Sequence, residues 1–234
     1  DQHPGGDAFI KVHRQTEQFC KGLGRQTDVD AVGGKQQEIT AGVLHSVVIV
    51  EIKDDKYWEL VGLAKERDIA VVYMNVGDEL KDGKLKFTCL NPNDELMNQN
   101  SGDINESSLV LVMEYKNLAC VFTGDIGIET EVGLIRLLEE FSLQEKTVIY
   151  DVAHHGSRHS NSREIIDALK PQVSVISCGK DNSYGHPADE VLERLQEVDS
   201  DIWCTYERGQ IEVYEGKDGF IVRGYLDQYR RRRK

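Results

Sequence analysis

At 234 residues, of which 39% are hydrophobic, the chain is long enough to bury one proper core. Its formal net charge of −13 argues against a surface that grips nucleic acid by bulk electrostatics, because phosphate affinity rests on Lys and Arg, but it does not exclude local DNA contact. No run approaches the ~20 apolar residues of a membrane span, and Asp1-Gln2-His3 opens without the basic start and apolar core of a signal peptide. The polypeptide as given is therefore expected to be soluble.

In chain order, residues 1–42 are rich in Gln and sparse in apolar residues, with no sustained period of 2 or 3.6. Gly33-Gly34-Lys35-Gln36-Gln37 reads there as loop or disorder. From residue 43 strand and helix alternate. Val47-Val48-Ile49-Val50 reads as a strand, and 55–67 has amphipathic helical spacing through Trp58, Leu60, Val61 and Leu63. A strand at 69–74 precedes a hairpin over 78–90 that turns at Asp82-Gly83. A polar loop over 91–105 leads into a strand at 109–115, the turn Lys116-Asn117 and a strand at 119–123. Helices are predicted near 129–141, 162–170 and 188–198. Strands are predicted at 147–153, 173–179, 201–206 and 210–214.

Five cysteines (Cys20, Cys89, Cys120, Cys178, Cys204) form no CxxC pair, no zinc spacing and, being odd in number, no disulfide framework. Cys89, Cys120 and Cys178 lie in apolar runs, where a thiol serves as a small hydrophobe. The dense basic run Arg230-Arg231-Arg232-Arg233-Lys234 reads as a solvated tail or membrane-proximal anchor rather than a specific reader. The division is thus 1–42 as a divergent or disordered segment, 43–226 as the domain, and 227–234 as a basic tail.

The chemistry gathers at the ends of apolar strands. Val121-Phe122-Thr123 runs into Gly124-Asp125, and the run from Thr147 ends at Ala153-His154-His155-Gly156-Ser157. The strand from Val173 is followed by Ser183-Tyr184-Gly185-His186-Pro187. In open α/β sheets ligands bind at the carboxyl ends of strands, so this placement suits a site. Gly124 allows a close backbone approach beside Asp125, whose bland alternative is an N-cap for a helix starting near Ile126. His154 and His155, consecutive at a strand end, are expected to diverge to opposite faces. Gly156-Ser157 and Ser160-Asn161-Ser162 make a turn rich in hydroxyls and amides that suits an anion, although Ser162 would serve equally as a helix cap. His186 sits in a stiff loop that would alternatively do no more than lead into the helix at Ala188.

Four strings in order, Asp103-Ile104-Asn105-Glu106-Ser107-Ser108-Leu109-Val110-Leu111, Phe122-Thr123-Gly124-Asp125-Ile126 with Glu131, His154-His155-Gly156-Ser157, and Ser177 to Pro187, resemble the metallo-β-lactamase superfamily. Within it they resemble the C-terminal domain of the ComEC/Rec2 competence (DNA-uptake) family over roughly residues 43–215. The resemblance implies an α/β fold, the metallo-β-lactamase-like αβ/βα sandwich, here lacking its first N-terminal strands. It implies Asp125 and His154 as metal ligands, and His155 and His186 as catalytic or phosphate-facing groups. Asn105, Ser108, Ser157 and Tyr184 would then line the substrate.

The family's first metal motif, His-x-His-x-Asp-His or His-Pro-x-x-Asp-His, has its counterpart in His3-Pro4-Gly5-Gly6-Asp7-Ala8. His3 and Asp7 fit as further ligands, and Ala8 stands where a histidine belongs. The implied cofactor is a divalent metal, Mn²⁺ or Zn²⁺, with oxygen-rich surroundings favouring a hard ion such as Mn²⁺ or Mg²⁺ over a tightly held zinc. The implied activity is phosphodiester hydrolysis on single-stranded or incoming DNA. The implied partner is the membrane channel portion of the same parent protein, with this domain at the outer face of the bacterial membrane. Two alternatives stand beside it: a metallohydrolase for a small phosphoester, and a catalytically degenerate, non-enzymatic domain, which Ala8 favours.

Overall fold

The computed structural model describes residues 10–12, 38–40, 46–49, 55–92 and 103–227. The elements in order are β1 (Ile10–Val12), β2 (Glu38–Thr40), β3 (Ser46–Ile49), α1 (Asp55–Glu66), β4 (Ala70–Tyr73), β5 (Glu79–Asp82), β6 (Leu85–Asn91), β7 (Val110–Tyr115) and β8 (Leu118–Phe122). They continue with α2 (Ile128–Leu138), β9 (Thr147–Asp151), α3 (Arg163–Leu169), β10 (Val173–Ile176), α4 (Asp189–Glu197), β11 (Asp201–Cys204), α5 (Thr205–Arg208), β12 (Ile211–Gly216) and β13 (Gly219–Gly224). The central sheet has eight strands in the order β11-β10-β9-β8-β7-β6-β5-β2. Strands β8 to β11 run parallel, so their carboxyl ends share one edge. Hairpins join β5 to β6 and β7 to β8 antiparallel. As expected, Gly83 turns the first at φ +58, and Lys116 turns the second at φ +55.

Period-2 alternation sorts the side chains into layers. On one face Val110, Val112, Ala119, Val121, Val148 and Tyr150 pack under Leu134 and Leu138 of α2, Ile165, Ile166 and Leu169 of α3, and Val191 and Leu195 of α4. On the other, Met113, Tyr115, Leu118, Cys120, Ile149 and Val175 meet Ile211, Val213 and Val222 of the sheet β1-β12-β13. Farther along that face, Val72 of β4 and Met74 pack on Leu80, Cys89 and Leu111. Alternation turns Tyr73 the opposite way, where its hydroxyl meets that of Tyr57 in α1 at 2.9 Å. The layers therefore run helix, sheet, sheet, helix, the αβ/βα order expected from the four strings. Each fully buried Leu or Ile contributes roughly 1.5–3 kcal/mol to holding them together.

Three elements differ from the reading of the sequence. Residues 1–42 do supply strands: β1 pairs antiparallel with β12, and β2 pairs parallel with β5. Each is only three residues long, too short for a period to show. The run predicted as strand over 201–206 ends at Cys204, because Thr205 turns into α5 and binds Cys178 N and O through its hydroxyl, both at 3.1 Å. Strand β13 was not anticipated, and Phe220 and Val222 pack its inward face on the core. The loop at 33–37, Cys20 and the basic run 230–234 lie outside the described residues. Cys89, Cys120, Cys178 and Cys204 are buried and are not joined in disulfides with one another, and burial pushes the thiols of Cys89 and Cys120 up to about 12. Among the described residues no helix is long and apolar enough to cross a membrane.

Candidate active site at the strand ends

The carboxyl ends of β8, β9 and β10 are stitched together by short-range bonds. The Thr123 hydroxyl donates to Asp151 O at 2.7 Å, and His154 N donates to Gly124 O at 2.9 Å. Val152 N reaches Val175 O at 2.9 Å, and Ala188 N reaches Gly156 O at 2.9 Å. Gly124 has φ +56, and a Cβ there would lie 2.8 Å from the Cβ of Ser108. Glycine therefore lets β8 turn against Ser108, whose hydroxyl accepts from Asp125 N at 3.1 Å. Gly156 has φ +83 and the same constraint, since a Cβ would lie 2.6 Å from that of Pro187. The two glycines close the backbone around the site.

Asp125 is not the cap of the following helix. Helix α2 begins at Ile128 with Gly127 at its N-cap position. Its first amides are taken by Glu106, which accepts from Gly127 N at 3.1 Å and from Thr130 N at 3.3 Å. With that carboxylate at the dipole's positive end, Asp125 is free to face the histidines. Its Oδ1 lies 3.6 Å from His155 Nε2. His155 Nδ1 lies 2.7 Å from Ser177 O. A carbonyl only accepts, so Nδ1 carries the proton there. The ring offers Asp125 either a second proton, when charged, or a lone pair.

The two histidines do not sit on a strand and do not diverge. His154 and His155 both adopt left-handed backbone, at φ 49 and φ 58, in a tight turn after β9. Their ring centroids are 6.3 Å apart, and His154 lies 5.9 Å from His186. The strand rule failed because alternation ends at Asp151. His155, rather than His154, is the one beside Asp125. His186 is held below the ordinary histidine range, first by burial and then by His154, His155 and Arg158, while Asp125 opposes them. It therefore stays neutral near pH 7. Asp151, beneath this group, is pushed up to about 7 by burial, with Asp125 adding to the rise and His155 opposing it.

The expected anion cradle is occupied by the protein itself. Asn161 N and Ser162 N both donate to the buried carboxylate of Glu131, the latter at 2.9 Å. Ser160 donates to Ile126 O at 2.7 Å, and Ser162 caps α3 through Ile165 N at 3.3 Å. Ser157, expected to line the substrate, is only 2% exposed, and its hydroxyl accepts from His159 N. Asn105 sits half-buried on the 3-10 turn Ile104–Ser107, its N–H held by Asp103. Tyr184 is exposed and stacks on His186, with centroids 5.8 Å apart at an interplanar angle of 18°. The sequence reading gave no role to Glu106, Asp151 and Asn182, and it assigned Asn161 to an anion cradle rather than to holding the turn. Of these, Asn161 and Asn182 carried a signal in their place between Ser, Gly and Pro residues that demand turns.

His3 and Asp7 lie outside the described residues. Among the described residues no group of three or more His, Cys, Asp or Glu side chains is placed to hold an ion. Asp125 and His155 face each other as a carboxylate–imidazole pair, and this donor set does not by itself complete a cation site.

Packed sheets between helical layers, with a carboxylate and three imidazoles at the carboxyl ends of adjacent parallel strands, define an α/β protein of the metallo-β-lactamase-like class. No family model matches the chain. Over 186 residues it is 31% identical to ComE operon protein 3 of Bacillus subtilis strain 168, covering 79% of this chain and 23% of that protein. It is 30% identical over 129 residues to Recombination protein 2 of Haemophilus influenzae, covering 55% of this chain and 15% of that one. The aligned part of this chain belongs to the ComEC/Rec2 family of competence proteins, and it spans less than a quarter of either relative's length. Among solved structures it is similar to CmlA, a diiron beta-hydroxylase from Streptomyces venezuelae, with a TM-score of 0.48 and 16% identity over 68% of this chain and 38% of that one.

Proposed function

We propose that this chain is the hydrolase domain of a competence protein and that it cleaves phosphodiesters of incoming DNA. The observation that carries the reading is the convergence of Asp125, His154, His155 and His186 on one sheet edge in a chain with competence-protein relatives. Arg158 and neutral His186 offer N–H donors to phosphoryl oxygens. His155, fixed by Ser177 O, presents Nε2 as the nitrogen that exchanges a proton with a leaving oxygen, with Asp125 Oδ1 3.6 Å from it. The resemblance implies Mn²⁺ or Zn²⁺ on Asp125, His154, His3 and Asp7; the described residues include only the first two. The parent's channel portion, and a place at the outer face of the bacterial membrane, belong to the same proposal.

A second reading, a catalytically silent domain, is favoured by Ala8 in the first motif. Calorimetric titration of Mn²⁺ and Zn²⁺ separates the two, using the chain, an Ala8→His variant and an Asp125→Ala control. Binding that needs Asp125 and tightens with histidine at position 8 supports the hydrolase. Absence of binding in every version supports the silent domain.

A further inference from the structure

Tyr184 is the most exposed large apolar side chain among the described residues, at 81%. An aromatic ring in that position loses free energy by standing in water, and its loop does nothing to hide it. The loop is stiff instead. The Asn182 side chain accepts from Tyr184 N at 3.2 Å and His186 N at 3.1 Å, and it donates to Gly179 O at 3.0 Å and to His186 O at 2.5 Å. The Tyr184 ring lies 18° from parallel with His186, offset at a centroid distance of 5.8 Å, and its open face makes no ring contact among the described residues. From this plate the rings continue inward through His186 to His154 at 5.9 Å and His155 at 6.3 Å, ending on Asp125. Arg158 stands beside the row, its side chain 62% exposed.

We infer that the Tyr184–His186 stack is a platform for one unpaired nucleobase, which makes the site selective for single-stranded DNA. A duplex keeps its bases stacked on each other, so only a single strand or a frayed end can lay a base on an open ring. The platform also answers the difficulty raised by a net charge of −13, since base stacking needs no basic groove. Binding should accordingly depend on the base more than on salt. If Arg158 makes one phosphate contact, the log–log salt slope is about −0.7. This inference deepens the hydrolase reading and rests on it for its biological sense, but the binding it describes is measurable without turnover.

The experiment is fluorescence anisotropy of labelled twelve-residue oligothymidine on the full chain in a chelating buffer. Two comparison ligands are an abasic strand of equal length and a blunt duplex. The abasic strand and the duplex are expected to bind roughly 5- to 150-fold more weakly, the range that stacking one base spans. Tyr184→Ala should erase that difference, and Tyr184→Phe should keep it. Equal affinity for thymidine and abasic strands, or for wild type and Tyr184→Ala, overturns the platform, as does absence of binding to any strand. Cleavage of single-stranded DNA that ignores Tyr184→Ala in both kcat and KM overturns the platform and leaves the hydrolase standing. Tyr184-dependent binding without cleavage at saturating Mn²⁺ or Zn²⁺ does the reverse.

Discussion

Asn161→Ala tests whether the histidine turn is held from beneath. Asn161 is fully buried at φ +62, a backbone region that Asn tolerates better than Ala. Its side chain accepts from the Tyr150 hydroxyl at 2.7 Å and donates to Ala153 O at 2.9 Å and Ser157 O at 3.3 Å. Those carbonyls lie at the two ends of the turn that carries His154 and His155. Removing the amide strands three buried partners, each worth about 1–3 kcal/mol when left unpaired, with the long bond to Ser157 counting least. A loss of about 3–5 kcal/mol follows, a large share of the roughly 5–15 kcal/mol that domains possess. Tyr150→Phe strands Asn161 Oδ1 and removes the long 3.5 Å bond from Ala153 N, and should cost about 1–2 kcal/mol. The double variant should cost little more than Asn161→Ala, because the Phe leaves no hydroxyl to satisfy. Urea denaturation of the four proteins provides the cycle. A loss under about 1 kcal/mol for Asn161→Ala, or strict additivity, would refute the anchoring role.

Three further outcomes follow from the same geometry. Gly124→Ala forces a Cβ to within 2.8 Å of Ser108 at positive φ; a loss of about 1–3 kcal/mol in denaturant is expected, with Ser108→Gly recovering part of it. Glu106→Ala removes the cap that α2 borrows from across the site and should cost about 1–2 kcal/mol, read as a lowered thermal midpoint. Glu114 is pushed up by burial but held net below its ordinary 4.5 by Lys86 and Lys146, at 2.6 and 3.0 Å. Its ion pairs therefore stabilise fully above pH about 4.5 and fade as pH falls through the lower folded value. The gap in melting temperature between wild type and Glu114→Gln should close on acidification, and a gap that widens instead would contradict the sign.

How much was legible in the sequence follows from the length scale of each signal. Strands β4 to β10 and helices α1 to α4 showed because their apolar residues run or alternate over four or more positions, as in Val110 to Tyr115. β1 and β2 are too short to repeat anything, whereas β13 went unread although Asp218-Gly219 before it gives the same hairpin signal as Asp82-Gly83. At the site, the residue types were readable because Asp125, His154 and His155 end apolar runs and His186 lies in the loop that follows the next one. Their pairing was not. Two consecutive left-handed residues put His155 on Asp125, and no local preference of histidine announces that conformation. Nor did the sequence disclose that Glu131, some thirty residues away, would fill the amides offered by Asn161 and Ser162. Such contacts arise between elements, where periodicity carries no information.

The central claim is that these strand ends form a hydrolytic site for DNA. Its most direct test is cleavage of an end-labelled single-stranded oligonucleotide by the chain and its Ala8→His variant, with Mn²⁺ or Zn²⁺ supplied. Cleavage that disappears in Asp125→Ala and His155→Ala, while both variants keep the wild-type melting profile, is the result expected. Cleavage indifferent to both residues, or none by the chain and none by Ala8→His, would contradict it.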